Sequence, residues 1–82
     1  MKQVRYTADA AKALKRHGTM AARIRKALAD YAADPAAHAN NVRQLVGSPA
    51  KRLRVGDFRV VFEETGEEIV VTKVGPRGGI YG

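Results

Sequence analysis

The chain has no cysteine, no tryptophan and only two histidines among its 82 residues. Without cysteine it can form no disulfide, no thiolate metal site and no cysteine nucleophile, which suits a reducing compartment. The two histidines, His17 and His38, are too far apart in sequence to have the spacing of metal ligands. These absences predict a protein that uses neither a metal nor another cofactor.

Long apolar runs are also missing. No segment approaches the length of a membrane span, and the first four residues do not resemble a signal peptide. We therefore expect a cytoplasmic protein that makes no contact with a membrane. Because 82 residues suffice for one modest core and no more, the sequence predicts a single domain over residues 1–82.

Acidic side chains are fewer than basic ones in this chain. Fifteen Lys and Arg residues against eight Asp and Glu residues give a formal net charge of +7. An excess of this size is typical of proteins that bind nucleic acid or an acidic protein partner. Charge alone does not choose between these partners, so the positions of the cations matter more than their number.

The first half of the chain predicts a helical hairpin. Thr7 is a good N-cap for a helix over residues 8–16, which is rich in alanine and has its cations late. Gly18 is expected to end that helix in a left-handed conformation. Thr19 is then expected to cap a second helix from about Met20 to Ala33.

Strand patterns surround this hairpin. A short strand is predicted over residues 2–6, and three more over about 51–55, 58–64 and 68–74, while residues 42–46 could be a strand or irregular. The order β-α-α-β-β-β indicates an α+β fold. In it, the N-terminal strand and the helical hairpin pack on one face of a small antiparallel sheet.

The pairing of the middle strands can be predicted residue by residue. If Gly56-Asp57 is a two-residue hairpin loop, the opposed pairs are Val55 with Phe58, Arg54 with Arg59 and Leu53 with Val60. Like charges directly opposite each other are destabilising, so an anion is expected between Arg54 and Arg59. Alternation puts these arginines and Arg52 on the sheet face away from the helices.

The register of the last strand stays open at this point. It could present either Val70, Thr72 and Val74 or Ile69, Val71 and Lys73 beside Arg59. A change of one residue in loop length would exchange the two sets.

Three segments of the chain resemble the RelE/ParE superfamily of type II toxin–antitoxin toxins. They are residues 45–47, residues 51–63 and residues 74–81. The second contains the core Leu-Arg-x-Gly-Asp-aromatic-Arg, and the third contains Gly-x-Arg at residues 75–77 and ends at Tyr81. The resemblance implies a RelE-like fold.

The resemblance also implies an activity and its residues. RelE-like members are ribosome-dependent endoribonucleases that cut mRNA by attack of a 2′-hydroxyl on the adjacent phosphate, without a metal. By this resemblance, Arg59 and Arg77 stabilise the phosphate and Arg52 and Arg54 bind the substrate. Tyr81 positions the nucleotide or shares in proton transfer.

Partners follow from the same resemblance. It implies an acidic antitoxin that forms a hetero-oligomer with the toxin, and a ribosome that carries mRNA. Two alternatives remain open from sequence. One is a ParE-like toxin that inhibits DNA gyrase, and the other is a non-catalytic module that binds RNA or an antitoxin.

Overall fold

The computed structural model describes residues 2–76. In chain order the elements are β1 (Gln3–Tyr6), α1 (Ala8–Arg16), α2 (Gly18–Ala33), a 3₁₀ helix (Ala36–Asn41), β2 (Val42–Gln44), β3 (Lys51–Val55), β4 (Phe58–Glu64) and β5 (Glu68–Pro76). The predicted α+β fold is confirmed. The segment 42–46, which the sequence left open, contributes the short strand β2.

The five strands form one sheet in the order β1-β5-β4-β3-β2. The pairs β3–β4 and β4–β5 are antiparallel, as predicted, and so is β2–β3, whereas β1 joins the same sheet parallel to β5. The sheet is therefore mixed rather than antiparallel throughout. A parallel pair needs a long connection instead of a tight turn, and the helices and strands between β1 and β5 supply it.

The helical hairpin begins as predicted and turns differently. The Thr7 hydroxyl accepts a hydrogen bond from the Ala10 N–H at 3.2 Å, which is the expected N-cap. The expectations for Gly18 and Thr19 were wrong, because α2 already begins at Gly18, whose φ is not positive. The single residue between the helices is His17. Its N–H donates the last hydrogen bond of α1 to Ala13 O, and its carbonyl accepts a hydrogen bond from the Met20 N–H.

Both helices pack on the same face of the sheet. The fully buried core side chains come from both layers, namely Leu14, Ile24 and Leu28 from the helices and Val60, Phe62, Ile69 and Val71 from the strands. The Tyr31 ring meets the Phe62 ring at 5.4 Å. Over residues 2–76, no helix is both long enough and apolar enough to cross a membrane.

A β-bulge settles the register of β5. Val61 pairs with Lys73 and Phe62 pairs with Val71, so Thr72 is the extra residue between them. The Thr72 hydroxyl donates a hydrogen bond to Val61 O at 3.2 Å. The bulge changes the alternation of the strand at this point. Lys73 and Val70 therefore share the face of Arg59 although they belong to different predicted sets, and neither set lies on that face as a whole.

Candidate functional site: an arginine-rich sheet face

The hairpin between β3 and β4 has the predicted pairing. Arg54 lies opposite Arg59, with Val55 opposite Phe58 on one side and Leu53 opposite Val60 on the other. Gly56 has φ of 58°, and no other residue type in the described chain has a positive φ. A positive φ at the first loop residue alone is typical of a type II′ turn, which matches the twist of the two strands.

Burial of alternate residues aims the arginines away from the helices. Leu53 and Val55 are buried in the core, so Arg52 and Arg54 between them point to the opposite surface. We call this surface the open face, and its residues on β2 to β5 include Arg43, Arg52, Arg54, Arg59, Val61, Glu63 and Lys73. Arg54 is exposed, and Arg52 and Arg59 are half-buried.

Arg43 joins this set, and the sequence interpretation missed it. It lies on β2 directly opposite Arg52, which makes a second like-charged pair beside Arg54 and Arg59. The missed signal was the alternation from Val42 to Arg43, in a strand too short to be distinguished from irregular chain. Like charges placed directly opposite each other repel, and an anion bound between them would reduce that repulsion.

Among the described residues, two small cavities lie between the arginines. The first has a volume of about 60 Å³ and is polar, and it is lined by Asn40, Asn41, Arg43, Arg52 and Arg54. Its size and its guanidinium and carboxamide groups suit a phosphate, because a guanidinium fork can bind two phosphate oxygens at once.

The second cavity, of about 150 Å³, lies at the hairpin end. It is lined by Arg54, Arg59 and the turn residues Gly56, Asp57 and Phe58. The two cavities therefore share Arg54, so the cations of three neighbouring strands border one continuous stretch of surface.

Two predicted residues lie outside the described part of the chain. β5 brings Gly75 beside Arg59 and ends at Pro76, opposite Phe58. Arg77 and Tyr81 come after this point, so their roles stay predictions. Of the five predicted site residues, the structure brings together Arg52, Arg54 and Arg59.

Of the described residues, His17, Tyr31 and Lys51 lie on the helix side of the sheet. The His17 ring packs against Phe58 at 4.9 Å. Burial, together with a 2.8 Å hydrogen bond to Glu64 and the charge of that residue, raises the pKa of Tyr31 to about 12. Lys51 also points to this side, as expected for a regular strand, and it contacts Glu64 Oε1 at 2.7 Å.

Comparison with known proteins identifies the family. Residues 4–81 match the family model for the ParE toxin of the type II toxin–antitoxin system parDE. A search of curated protein sequences finds no significant match.

Solved structures share the fold. A chain of the archaeal RelE–RelB complex from Pyrococcus horikoshii OT3 is 24% identical, with a TM-score of 0.76 over 95% of this chain and 97% of that chain. A chain of the Escherichia coli DinJ–YafQ toxin–antitoxin complex is 14% identical, with a TM-score of 0.76 over 99% and 98%. A chain of the RelB–RelE complex from Methanococcus jannaschii is 24% identical, with a TM-score of 0.68 over 94% of each chain.

At identities of 14–24% the solved structures establish only the fold, and the match to the family model establishes family membership. Both agree with the resemblance that the motifs around Arg54 and Arg77 indicated. The model also spans nearly the whole sequence. The chain therefore belongs to the ParE family of type II toxin–antitoxin toxins, within the RelE/ParE superfamily.

Proposed function

We propose that this toxin is a ribosome-dependent endoribonuclease that cuts mRNA and so stops translation. The observation that carries the proposal is that two arginine pairs occupy opposed register positions on the open face, Arg54 with Arg59 and Arg43 with Arg52. A surface meant only to remain hydrated would be served by mixed charges at less cost. Two opposed guanidinium pairs suit successive phosphates of an RNA strand.

The reaction has a simple balance of bonds. The 2′-oxygen of one nucleotide forms a bond to the adjacent phosphorus as the bond from phosphorus to the 5′-oxygen breaks. A base takes the proton of the 2′-hydroxyl, and an acid gives a proton to the departing 5′-oxygen. The products are a 2′,3′-cyclic phosphate and a 5′-hydroxyl.

Arginine can do one part of this chemistry well. Arg59 and Arg77 stabilise the negative charge that develops on the phosphate oxygens in the transition state. Arg52 and Arg54 bind the adjoining part of the RNA substrate. Guanidinium groups keep their protons at neutral pH, so they cannot act as the base. We assign nucleotide positioning, or a share in proton transfer, to Tyr81, with ribosomal groups as the other source of proton carriers.

Induction of the toxin in growing bacteria tests the proposal. Wild type should stop translation and produce new mRNA 5′ ends at ribosome-bound positions, because the enzyme acts on mRNA held by the ribosome. Arg59→Ala should reduce the cutting by about 100-fold or more, as expected when a preorganised charge contact to the transition state is removed. Arg16→Ala, an exposed arginine on α1, is the matched control and should cut like wild type.

A gyrase inhibitor is the second candidate, and the family model favours it specifically, since the matched family is that of ParE. The same induction experiment decides between them if DNA supercoiling and DNA breaks are followed as well. DNA breaks that depend on gyrase, with mRNA left intact, would reject the endoribonuclease hypothesis in favour of the gyrase inhibitor. A wild-type chain that has no effect on growth would instead leave a non-catalytic binding module.

The proposed partner of the toxin is an acidic antitoxin. Its negative segment would cover the open face and neutralise the arginine pairs, in a hetero-oligomer like the toxin–antitoxin complexes that share the fold. The proposal puts both proteins in the cytoplasm, where the ribosomes are.

A further inference from the structure

A third cleft on the open face is larger than the two among the arginines. Its volume is about 300 Å³, and it lies between the β2–β3 loop and strands β4 and β5. Leu45 and Ala50 of the loop form one wall, Val61 forms the floor, and Glu63 and Lys73 provide charged groups. Val61 is only 6% exposed although it lies on the face opposite the helices, so it lies at the bottom of the cleft, and the half-buried Leu45 is the more exposed apolar residue of the cleft.

This cleft is continuous with the arginine pairs. Strand register aligns Arg43, Arg52, Val61 and Lys73 in one row across β2, β3, β4 and β5. The apolar floor at Val61 therefore lies between the cations Arg52 and Lys73. Neighbouring positions in such a row are separated by about 5 Å, which is the distance between strands. A nucleotide with its phosphate against Arg52 can reach the cleft with its base.

We propose that this cleft binds one unpaired nucleobase of the RNA strand whose phosphates contact the arginine pairs, and that Glu63 and Lys73 select the base. The inference rests on the proposed function, since it takes RNA as the substrate. The volume admits a single base, and the apolar side chain of Leu45 contacts the face of its ring. Single-stranded RNA is read in this manner, through ring contacts and hydrogen bonds to the base edge.

The two charged groups determine which bases are preferred. The Glu63 carboxylate accepts hydrogen bonds from an exocyclic amino group, as carboxylates do with the N4 amino group of cytosine. The Lys73 ammonium donates to a ring nitrogen or carbonyl oxygen beside it. Uracil has no amino group and places carbonyl oxygens near the carboxylate, so cytosine is preferred to uracil.

Binding of short oligonucleotides to the full chain tests this selection. The probes are 2′-O-methyl oligonucleotides of cytosine only and of uracil only, which lack the hydroxyl needed for cleavage. Glu63→Ala should lower the ratio of cytosine to uracil affinity by about fivefold or more, the discrimination expected from a good contact to a base edge. Glu67→Ala removes the same charge from an exposed acid in the β4–β5 turn and should leave the ratio unchanged.

The ratio separates base selection from simple charge. Removal of any acid raises the net charge and strengthens binding of both probes equally. An equal gain for Glu63→Ala and Glu67→Ala would overturn the proposal, and so would a wild type that binds neither probe. If Glu63→Ala lowers the ratio of cytosine to uracil affinity but the wild type fails to cut mRNA, the base-binding cleft is retained and the nuclease is rejected. Normal cutting with an unchanged ratio would do the reverse.

Discussion

At the scale of single residues, the chain treats its charges in two opposite ways. Glu64, with a side chain only 8% exposed, accepts from Lys51 and Tyr31 and forms an ion pair with Lys2 at 2.7 Å. Its charge is therefore compensated. Arg54 and Arg59 instead lie opposite each other with the same charge. A fold selected for stability alone would favour the first arrangement, and the second is the arrangement on which the proposed phosphate site rests.

Glu64 should make the stability of the toxin depend on acidity. Burial alone would raise its pKa, but hydrogen bonds from Lys2, Lys51 and Tyr31 and the charge of Lys51 outweigh that effect and lower it from 4.5 to about 2. A lowered pKa stabilises the folded state above pH 4.5. That contribution disappears as the pH falls toward 2.

The variant that tests this contribution of Glu64 to stability is Glu64→Gln. At neutral pH it should lower the free energy of unfolding by about 2–3 kcal/mol, because Lys2 and Lys51 lose their anion in a protected site. The difference from wild type should shrink as the pH is lowered from 4.5 toward 2. Urea unfolding measured across this pH range checks it, with Glu67→Gln as an exposed control. A difference that stays constant with pH would contradict the assignment.

At the scale of elements, the β3–β4 hairpin depends on one glycine. Gly56 has φ of 58°, where a side chain is strained, whereas Gly66 in the β4–β5 turn has no such conformation. We expect Gly56→Ala to lower the free energy of unfolding by about 1 kcal/mol. Gly66→Ala should have little effect, since nothing lies within 4 Å of the added carbon. Thermal unfolding of both variants checks the prediction, and equal shifts would contradict it.

The same hairpin shows what sequence could predict. A Gly-Asp loop with alternating neighbours determines the pairing of Arg54 with Arg59 directly, and that prediction is confirmed. The register of β5 could not be obtained in this way, because the bulge at Thr72 changes the alternation within a strand that looks regular. Arg43 was missed because its strand has three residues, too few to show a period.

At the scale of the whole molecule, charge is unevenly distributed. The β4–β5 turn has Glu63, Glu67 and Glu68 at or near it, while the β3–β4 hairpin at the other end of β4 has Arg54 and Arg59. Arg23 of α2 reaches the same end, with its guanidinium about 3.5 Å from the point where a side chain on Gly56 would begin. A molecule with such poles approaches a polyanion with its arginine end first.

Salt dependence should report how many arginines contact phosphate. For single strands, each neutralised phosphate contributes about 0.7 to the slope of log affinity against log salt concentration. We expect Arg43→Ala and Arg54→Ala each to reduce the slope by about that amount, while Arg16→Ala leaves it unchanged. Titrations of a single-stranded RNA at several salt concentrations check it. If Arg43→Ala left the slope unchanged, Arg43 would have no place in the RNA-binding surface.

The pairing of β1 with β5 has a consequence for the stage of synthesis at which the sheet is completed. Gln3–Tyr6 finds its partner only in residues 68–71, so the sheet cannot be completed while those residues are still being synthesised. Contacts so distant in sequence form late in folding. The arginine pairs of β3 and β4 gain their full support only when β5 joins them. The sheet that carries Arg54 and Arg59 is therefore completed only after most of the chain has been made.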